Sequence, residues 1–281
     1  MPDRRTHRGP HPEDARLFNA GAVPLLRAAA GDFCWLLDRG YAHDSALKLV
    51  GDRHGLVARQ RTAVSRCCCT ETQSASRRAR EVGRERLSGA ALWIDGYNAL
   101  TTVEAALAGG VILVARDGAY RDMASMHGSY RKVAETLPAL ELLGQTLAAC
   151  DLRECRWLFD RPVSNSGRLK GIVEELAAAR DWPWRVELAP DPDAILSDPE
   201  AWGTTEVVGK QDVDNVGAAV PMLGWQLNCH PNRAPLPQRG IVAATADSAI
   251  LDRCPCWFNL ARETIHCHVP LANVLEFAPT D

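Results

Sequence analysis

No apolar run in this chain reaches the roughly 18 to 20 residues that cross a bilayer, and the charged start from Met1 to Arg16 lacks the apolar segment of a signal peptide. These absences argue against membrane-spanning and secretory readings and lead to the expectation of a soluble, cytoplasmic protein with no membrane partner. A glycine-rich phosphate loop is missing as well: Gly109-Gly110 lies before a strand and lacks the following Gly-Lys-Ser/Thr signal. Zinc spacing is also lacking. Cys254-Pro255-Cys256 and His266-Cys267-His268 leave single-residue gaps, whereas zinc sites favour Cys pairs about two to four residues apart and His pairs about three to five apart. The ten cysteines read as reduced thiols in a chain of this length without a secretory signal. Neighbouring side chains diverge, so Cys67-Cys68-Cys69 is read as packing.

At 281 residues and 46% hydrophobic, the chain can bury one large core or two smaller ones, and roughly 100 to 200 residues per domain makes two the expectation. Charge divides it as well. Residues 1–88 hold 16 Lys and Arg against 10 Asp and Glu, a net +6, while the remainder holds 16 against 25, a net −9. A basic front fits nucleic-acid contact and an acidic back fits metal-binding or structural carboxylates; Arg-rich solvated helices are the alternative for the front.

From Pro12 to Arg66 the apolar spacing is helical, with stretches at Ala15 to Ala30, Phe33 to Leu37, Ser45 to Val50 and Leu56 to Val64, punctuated by Gly31, Gly40, Gly51 and Gly55. Asp44 or Ser45 is expected to cap the third stretch and Gly51 to end it. This gives a small all-α domain over 8–70 and a linker or polar helix over 71–88, where arginines accumulate. Over 89–281 short apolar strands alternate with helices. Strands are expected near Ala91 to Ile94, Val111 to Ala115, Arg156 to Phe159, Arg185 to Leu188 and Ile241 to Ala244, and helices at Tyr130 to Ala149, Arg168 to Ala179 and Ser248 to Arg253. Such alternation predicts an α/β domain with a mainly parallel central sheet between helical layers. An irregular excursion covers about 198–239.

Three of these strands end in an aspartate: Leu92-Trp93-Ile94-Asp95, Trp157-Leu158-Phe159-Asp160 and Ile241-Val242-Ala243-Ala244-Thr245-Ala246-Asp247. In an open parallel sheet, residues past the carboxyl ends of strands face one crevice. Two-metal phosphoryl chemistry needs several carboxylates there, because divalent cations take hard oxygen ligands and stabilise both attacking and leaving oxygens. Asp193, at the start of the helix Ala194-Ile195-Leu196, is preferred to Asp191 as a fourth acid. Each aspartate alone is equally explained as a helix cap or turn residue.

On these residues, Ile94-Asp95-Gly96-Tyr97-Asn98 resembles the opening motif of NYN-type nucleases of the PIN-like superfamily, and Asp160 and Asp247 stand where that superfamily has later acids. Most of the chain is also similar to uncharacterised two-domain proteins of archaea and bacteria that join an N-terminal helical domain of unknown function to a PIN-like region. The matching stretches are Arg39-Gly40-Tyr41, Leu47 to Arg53, Arg59-Gln60-Arg61 and Pro162 to Lys170. The resemblance implies a PIN-like, Rossmannoid three-layer fold with Asp95 as a metal ligand, Asn98 as its polar orienting partner, Asp160 as the second-strand acid and Asp247 as the late acid. The third acid departs from the pattern: Asp193 fits by position, while Asp214 in Gly209 to Val216 resembles the lysine-plus-aspartate segment of other NYN proteins.

Two polar segments accompany the acids. In Ser164-Asn165-Ser166-Gly167, ahead of a helix carrying Arg168 and Lys170, backbone N–H groups and the helix dipole can meet a phosphate; an ordinary serine cap with exposed basic residues is the alternative. In Arg116 to Asp122 and His127 to Arg131, Arg121 and Arg131 are candidates to hold phosphates and His127 to move a proton, against a salt-bridged turn and a capped helix start. The leading expectation is a metal-dependent nuclease acting on RNA ahead of DNA. In it Asp95, Asp160, Asp193 and Asp247 hold Mg²⁺ or Mn²⁺, and a metal-activated water attacks the phosphodiester. A nucleic-acid-binding regulatory protein with weakened catalysis and a small-molecule phosphohydrolase are the alternatives.

Overall fold

A computed structural model describes residues 7–124, 128, 130–198 and 240–279. The chain begins with helices α1 (Asp14–Leu17), α2 (Val23–Leu37), α3 (His43–Arg53), α4 (Ala58–Cys67) and α5 (Glu71–Ala79). An α/β region follows: β1 (Ala91–Asp95), α6 (Gly96–Leu107), β2 (Val111–Val114), β3 (Tyr120–Asp122), α7 (Thr136–Ala148), β4 (Glu154–Asp160), α8 (Ser166–Arg180), β5 (Trp184–Ala189) and α9 (Pro192–Ser197). It closes with β6 (Ile241–Ala244), α10 (Ser248–Arg253), β7 (Trp257–Phe258), α11 (Leu260–His268) and β8 (Asn273–Glu276).

The helical front differs from expectation at its glycines. The stretch expected as one helix from Ala15 is broken by a turn around Asn19 to Ala22, and α2 then runs straight through Gly31. Leu26, Ala29, Ala30, Phe33 and Leu36 form one buried face across that glycine, and their burial outweighs its helix penalty of about 1 kcal/mol. Gly51 does not end α3. It lies inside the helix because the Arg61 guanidinium packs where a Cβ would stand, and the chain turns instead at Gly55, in the left-handed region at φ +62°. Nor does Asp44 or Ser45 cap α3: the cap position is Ala42, in an extended conformation with no side-chain bond.

Residues 71–88 carry α5 and a short 3₁₀ turn over Arg84–Arg86. Thr70 and Gln73 form a reciprocal capping box at the start of α5. Arg77, only 2% exposed, pairs with Asp117 and Asp252 at 2.7 Å each, so this arginine-rich segment is docked onto the α/β region.

The main sheet has the order β5-β4-β1-β6-β7, with every neighbouring pair parallel. From β1 the chain moves outward to β4 and β5, then returns to β6 and β7 on the other side. With right-handed crossovers, α6, α7 and α8 cover one face and α9 and α10 the other. The reversal between β1 and β6 is a topological switch point, where open sheets of this kind bind ligands.

The strand expected from Val111 to Ala115 belongs to a second, smaller sheet of order β3-β2-β8, in which β2 pairs antiparallel with β3 and parallel with β8. This sheet completes the core of the helical front: Val111, Leu113, Met123, Leu275 and Phe277 pack with Leu26, Phe33, Val50 and Val64. The helix expected from Tyr130 starts only at Thr136, because the ring of Pro138 would clash with the carbonyl of Ala134 in a longer helix. No helix among the described residues is long and apolar enough to cross a membrane.

Candidate active site at the carboxyl edge of the sheet

Asp95 is the last residue of β1 and the N-cap of α6, and it is 8% exposed. One carboxylate oxygen accepts from the Asn98 backbone N–H at 3.3 Å, and the other accepts from the Thr245 hydroxyl at 3.0 Å. The same Thr245 oxygen accepts from the Asp247 N–H at 3.0 Å, so one hydroxyl ties the end of β1 to the turn after β6. Asn98 adds a second tie, its Oδ1 accepting from the Ala246 N–H at 3.0 Å. The glycine between Asp95 and Tyr97 is required by contact: a Cβ on Gly96 would collide with the ring of Phe159.

Asp247 caps α10, with Oδ1 accepting from the N–H groups of Ala249 and Ile250 at 2.7 and 3.2 Å. After β5, Asp191 caps α9 through the Ala194 N–H at 2.9 Å, while Asp193 lies in the first turn of that helix, open to solvent. These acids sense one another. Burial, with the Asp193 and Asp247 charges adding to it, pushes the Asp95 carboxyl up to about 7. Asp193 still reaches solvent, but partial desolvation by its neighbours, followed by repulsion from Asp247, Asp160 and Asp191, puts it at about 6. Asp160, half-buried at the end of β4, is raised by burial and by Asp191. Capping and mutual proximity therefore coexist in the same side chains. Among the described residues, no three of His, Cys, Asp and Glu are gathered closely enough to hold a metal ion.

Arg121, expected to hold a phosphate, is turned inward. It is 9% exposed and donates to the carbonyls of Ala246 at 2.8 Å and Arg66 at 2.9 Å and to Asp117 at 2.7 Å. Burial works to raise the Asp117 carboxyl, but Arg121 and Arg77 outweigh it and hold the group below its ordinary range. The Arg116 to Asp122 segment is thus a salt-bridged turn, and Arg121 steadies the backbone beside Asp247.

The loop after Asp160 lies against the segment before α7. The Ser164 N–H donates to Gly128 O and the Tyr130 N–H to Ser164 O, both at 3.1 Å. Asn165, in the left-handed region at φ +69°, donates from Nδ2 to Tyr130 O at 2.9 Å. No side chain caps α8, and the Ser166 hydroxyl turns back to Arg161 O at 3.1 Å. Arg131 and Arg168 line one pocket with Asn165, together with Lys132, which sequence reasoning passed over. Lys170 instead pairs with Glu174 at 3.5 Å along α8. His127 and Asp214 lie outside the described residues, as does the excursion from 199 to 239. Thr245 was also missed; its signal was a hydroxyl two residues before a strand-end acid.

Comparison with known proteins finds two families along the chain. Residues 25–80 match a protein family of unknown function, DUF434, and residues 84–213 match a domain of unknown function, DUF5616. The chain is 27% identical to the uncharacterized protein MJ0935 of Methanocaldococcus jannaschii over 183 residues, covering 65% of this chain and 88% of that protein. No solved structure matches the chain.

Proposed function

We propose that this chain is a divalent-metal-dependent phosphodiesterase that cleaves nucleic acid, RNA ahead of DNA. The observation that carries the reading is the Asp95 carboxylate, buried at the switch point of a parallel sheet and pushed up to about 7 by burial and by the nearby Asp193 and Asp247 charges. A carboxylate with perturbed acidity in such a crevice is a functional candidate. The resemblance of Ile94 to Asn98 to the opening motif of NYN-type nucleases, within the PIN-like superfamily, supports the same chemistry.

The donor set fits a hard cation. Asp95, Asp160, Asp193 and Asp247 offer only oxygen, and Mg²⁺ is ordinarily held by one or two carboxylates while keeping several waters, so a tight trio is not required. When bound, Mg²⁺ or Mn²⁺ would supply charge stabilisation to the phosphoryl oxygens and lower the pKa of water. Thr245 and Asn98 fix the orientation of Asp95 and of the turn bearing Asp247, and Arg121 holds that turn from behind. Arg131, Lys132 and Arg168 supply positive charge on the Asp160 side.

The test is incubation of purified protein with labelled single-stranded RNA and DNA in Mn²⁺ or EDTA, alongside Asp95→Asn and Asp160→Asn. Cleavage is expected only with metal and is lost in both variants; cleavage that persists in either variant at the wild-type rate sinks the assignment. One observation favours a second reading, a nucleic-acid-binding protein with weakened catalysis: among the described residues, no trio of carboxylates closes around one point. RNA binding without cleavage under any metal would select it.

A further inference from the structure

Beside the acids, the described residues enclose a pocket of about 280 Å³ lined by Tyr130, Arg131, Lys132, Asn165 and Arg168, with Leu169 and Ile172 as its apolar wall. It presents three cations and no carboxylate. Among the described residues, none of the side chains of Arg131, Lys132 and Arg168 has an ion-pair or hydrogen-bond partner, whereas Lys170, on the same helix, is paired with Glu174.

The walls are built rather than loosely apposed. Backbone bonds between Ser164 and both Gly128 and Tyr130 lace the two loops together, and Asn165 adds a side-chain bond to Tyr130 O. The Tyr130 hydroxyl is anchored below by the fully buried Glu104 at 2.5 Å and by Thr136 at 3.0 Å. The pocket is also tied to the acidic edge. The Tyr97 ring, two residues beyond Asp95, lies 5.5 Å from the Tyr130 ring and 5.1 Å from Phe159, which precedes Asp160.

Three cations exceed the need of an internal phosphodiester, which carries a single negative charge. A phosphate monoester carries about −1.5 to −2 at neutral pH and offers three strong acceptor oxygens, and the two arginine forks suit it through paired, charge-assisted hydrogen bonds. We propose that this pocket binds the terminal phosphate monoester of a nucleic-acid strand, anchoring the strand by its phosphorylated end as it passes the acidic edge. The strand's passage over the acids rests on the phosphodiesterase reading; recognition of the monoester does not.

The experiment is fluorescence anisotropy in EDTA with three otherwise identical labelled RNAs, bearing a 5′-phosphate, a 3′-phosphate or hydroxyls at both ends. One phosphorylated end is expected to bind about tenfold more tightly than the hydroxyl-ended strand. Arg168→Ala and Lys132→Ala, both at exposed positions, are each expected to remove most of that preference. Competition separates the sources of the phosphate. Adenosine monophosphate displacing the strand where equimolar inorganic phosphate does not supports a nucleotide end; equal displacement by inorganic phosphate assigns the pocket to the free ion and overturns the strand-end claim. Equal affinity for all three RNAs, or a preference that survives both substitutions, also overturns it. Loss of Mn²⁺-dependent cleavage alone would leave the monoester preference standing, so the two readings fail separately.

Discussion

Asp95→Asn should make the metal-free protein more stable at pH 8, although it removes the acid at the centre of the proposed site. Burial raises the folded-state pKa of Asp95 from an ordinary 3.8 to about 7. The folded chain therefore binds a proton that the unfolded chain has released between those values, and this group's contribution falls as pH rises from about 4 to about 7. Roughly three pH units at 1.36 kcal/mol each correspond to about 4 kcal/mol of destabilisation at pH 8. The asparagine keeps an acceptor for the Asn98 N–H but disturbs the bond to Thr245, a loss of about 1 to 2 kcal/mol. A net gain of about 2 kcal/mol remains, worth about 4 °C in melting temperature for a chain of this length. Calorimetry in EDTA at pH 4 and pH 8 checks it: the variant should melt higher at pH 8 and close to wild type at pH 4. A variant less stable than wild type at pH 8, or a difference independent of pH, refutes the account of Asp95 as a buried charge held against its neighbours.

Gly96→Ala should cost about 1 to 3 kcal/mol, because the new methyl meets the buried Phe159 ring; urea denaturation reads the loss, and a neutral result would mean the β1–α6 junction is looser than described. Arg121→Ala should destabilise by about 3 to 5 kcal/mol, since it strips one of two guanidiniums from the fully buried Asp117; a loss below about 1 kcal/mol in the same assay would argue that Arg121 faces outward. Gly31→Ala should stabilise by about 0.5 to 1 kcal/mol, as the position is helical with nothing within 4 Å of the new Cβ, and a decrease in melting temperature would contradict a continuous α2.

The parallel sheet was readable because fully buried strands such as Leu92 to Ile94 and Trp157 to Phe159 are unbroken apolar runs ending at turn residues. The second sheet was not. Tyr120–Asp122 is three residues long and carries Arg121 and Asp122, and Asn273–Glu276 has polar ends and one buried side chain, Leu275; pairing with Val111–Val114 makes them strands, and pairing is non-local. The helical front misled at Gly31 and Gly51 for a related reason: glycine reads locally as a stop, but the apolar face of α2 and the packing of Arg61 over α3 are tertiary facts. At the site, the acids could be read one by one from strand ends. The inward turn of Arg121 could not, because it depends on Asp117 and on a carbonyl 125 residues away. Lys132 escaped notice because nothing in its own neighbourhood predicts that Arg168 faces the same pocket.

Helix capping and a charged cluster first stood as rival explanations of these aspartates, yet Asp95 and Asp247 do both. An asparagine or serine caps a helix about as well as an aspartate, so capping alone does not call for charge at either position. The partial positive charge at the N-terminus of α6 should even ease ionisation of Asp95, as do its bonds from Thr245 and Asn98. Burial and the neighbouring acids more than reverse that help and carry the group to about 7. Asp95 thus retains an ionisable group where a neutral cap would fold more favourably, and where the charges that act on it, those of Asp193 and Asp247, have the same sign. A cation at the end of β1 would turn that repulsion into ligation. By linkage, it should therefore stabilise wild type more than Asp95→Asn, most strongly above pH 7 where the carboxylate is otherwise costly. Titrating Mn²⁺ against melting temperature for both proteins decides the point: parallel rises would mean that the cation binds elsewhere.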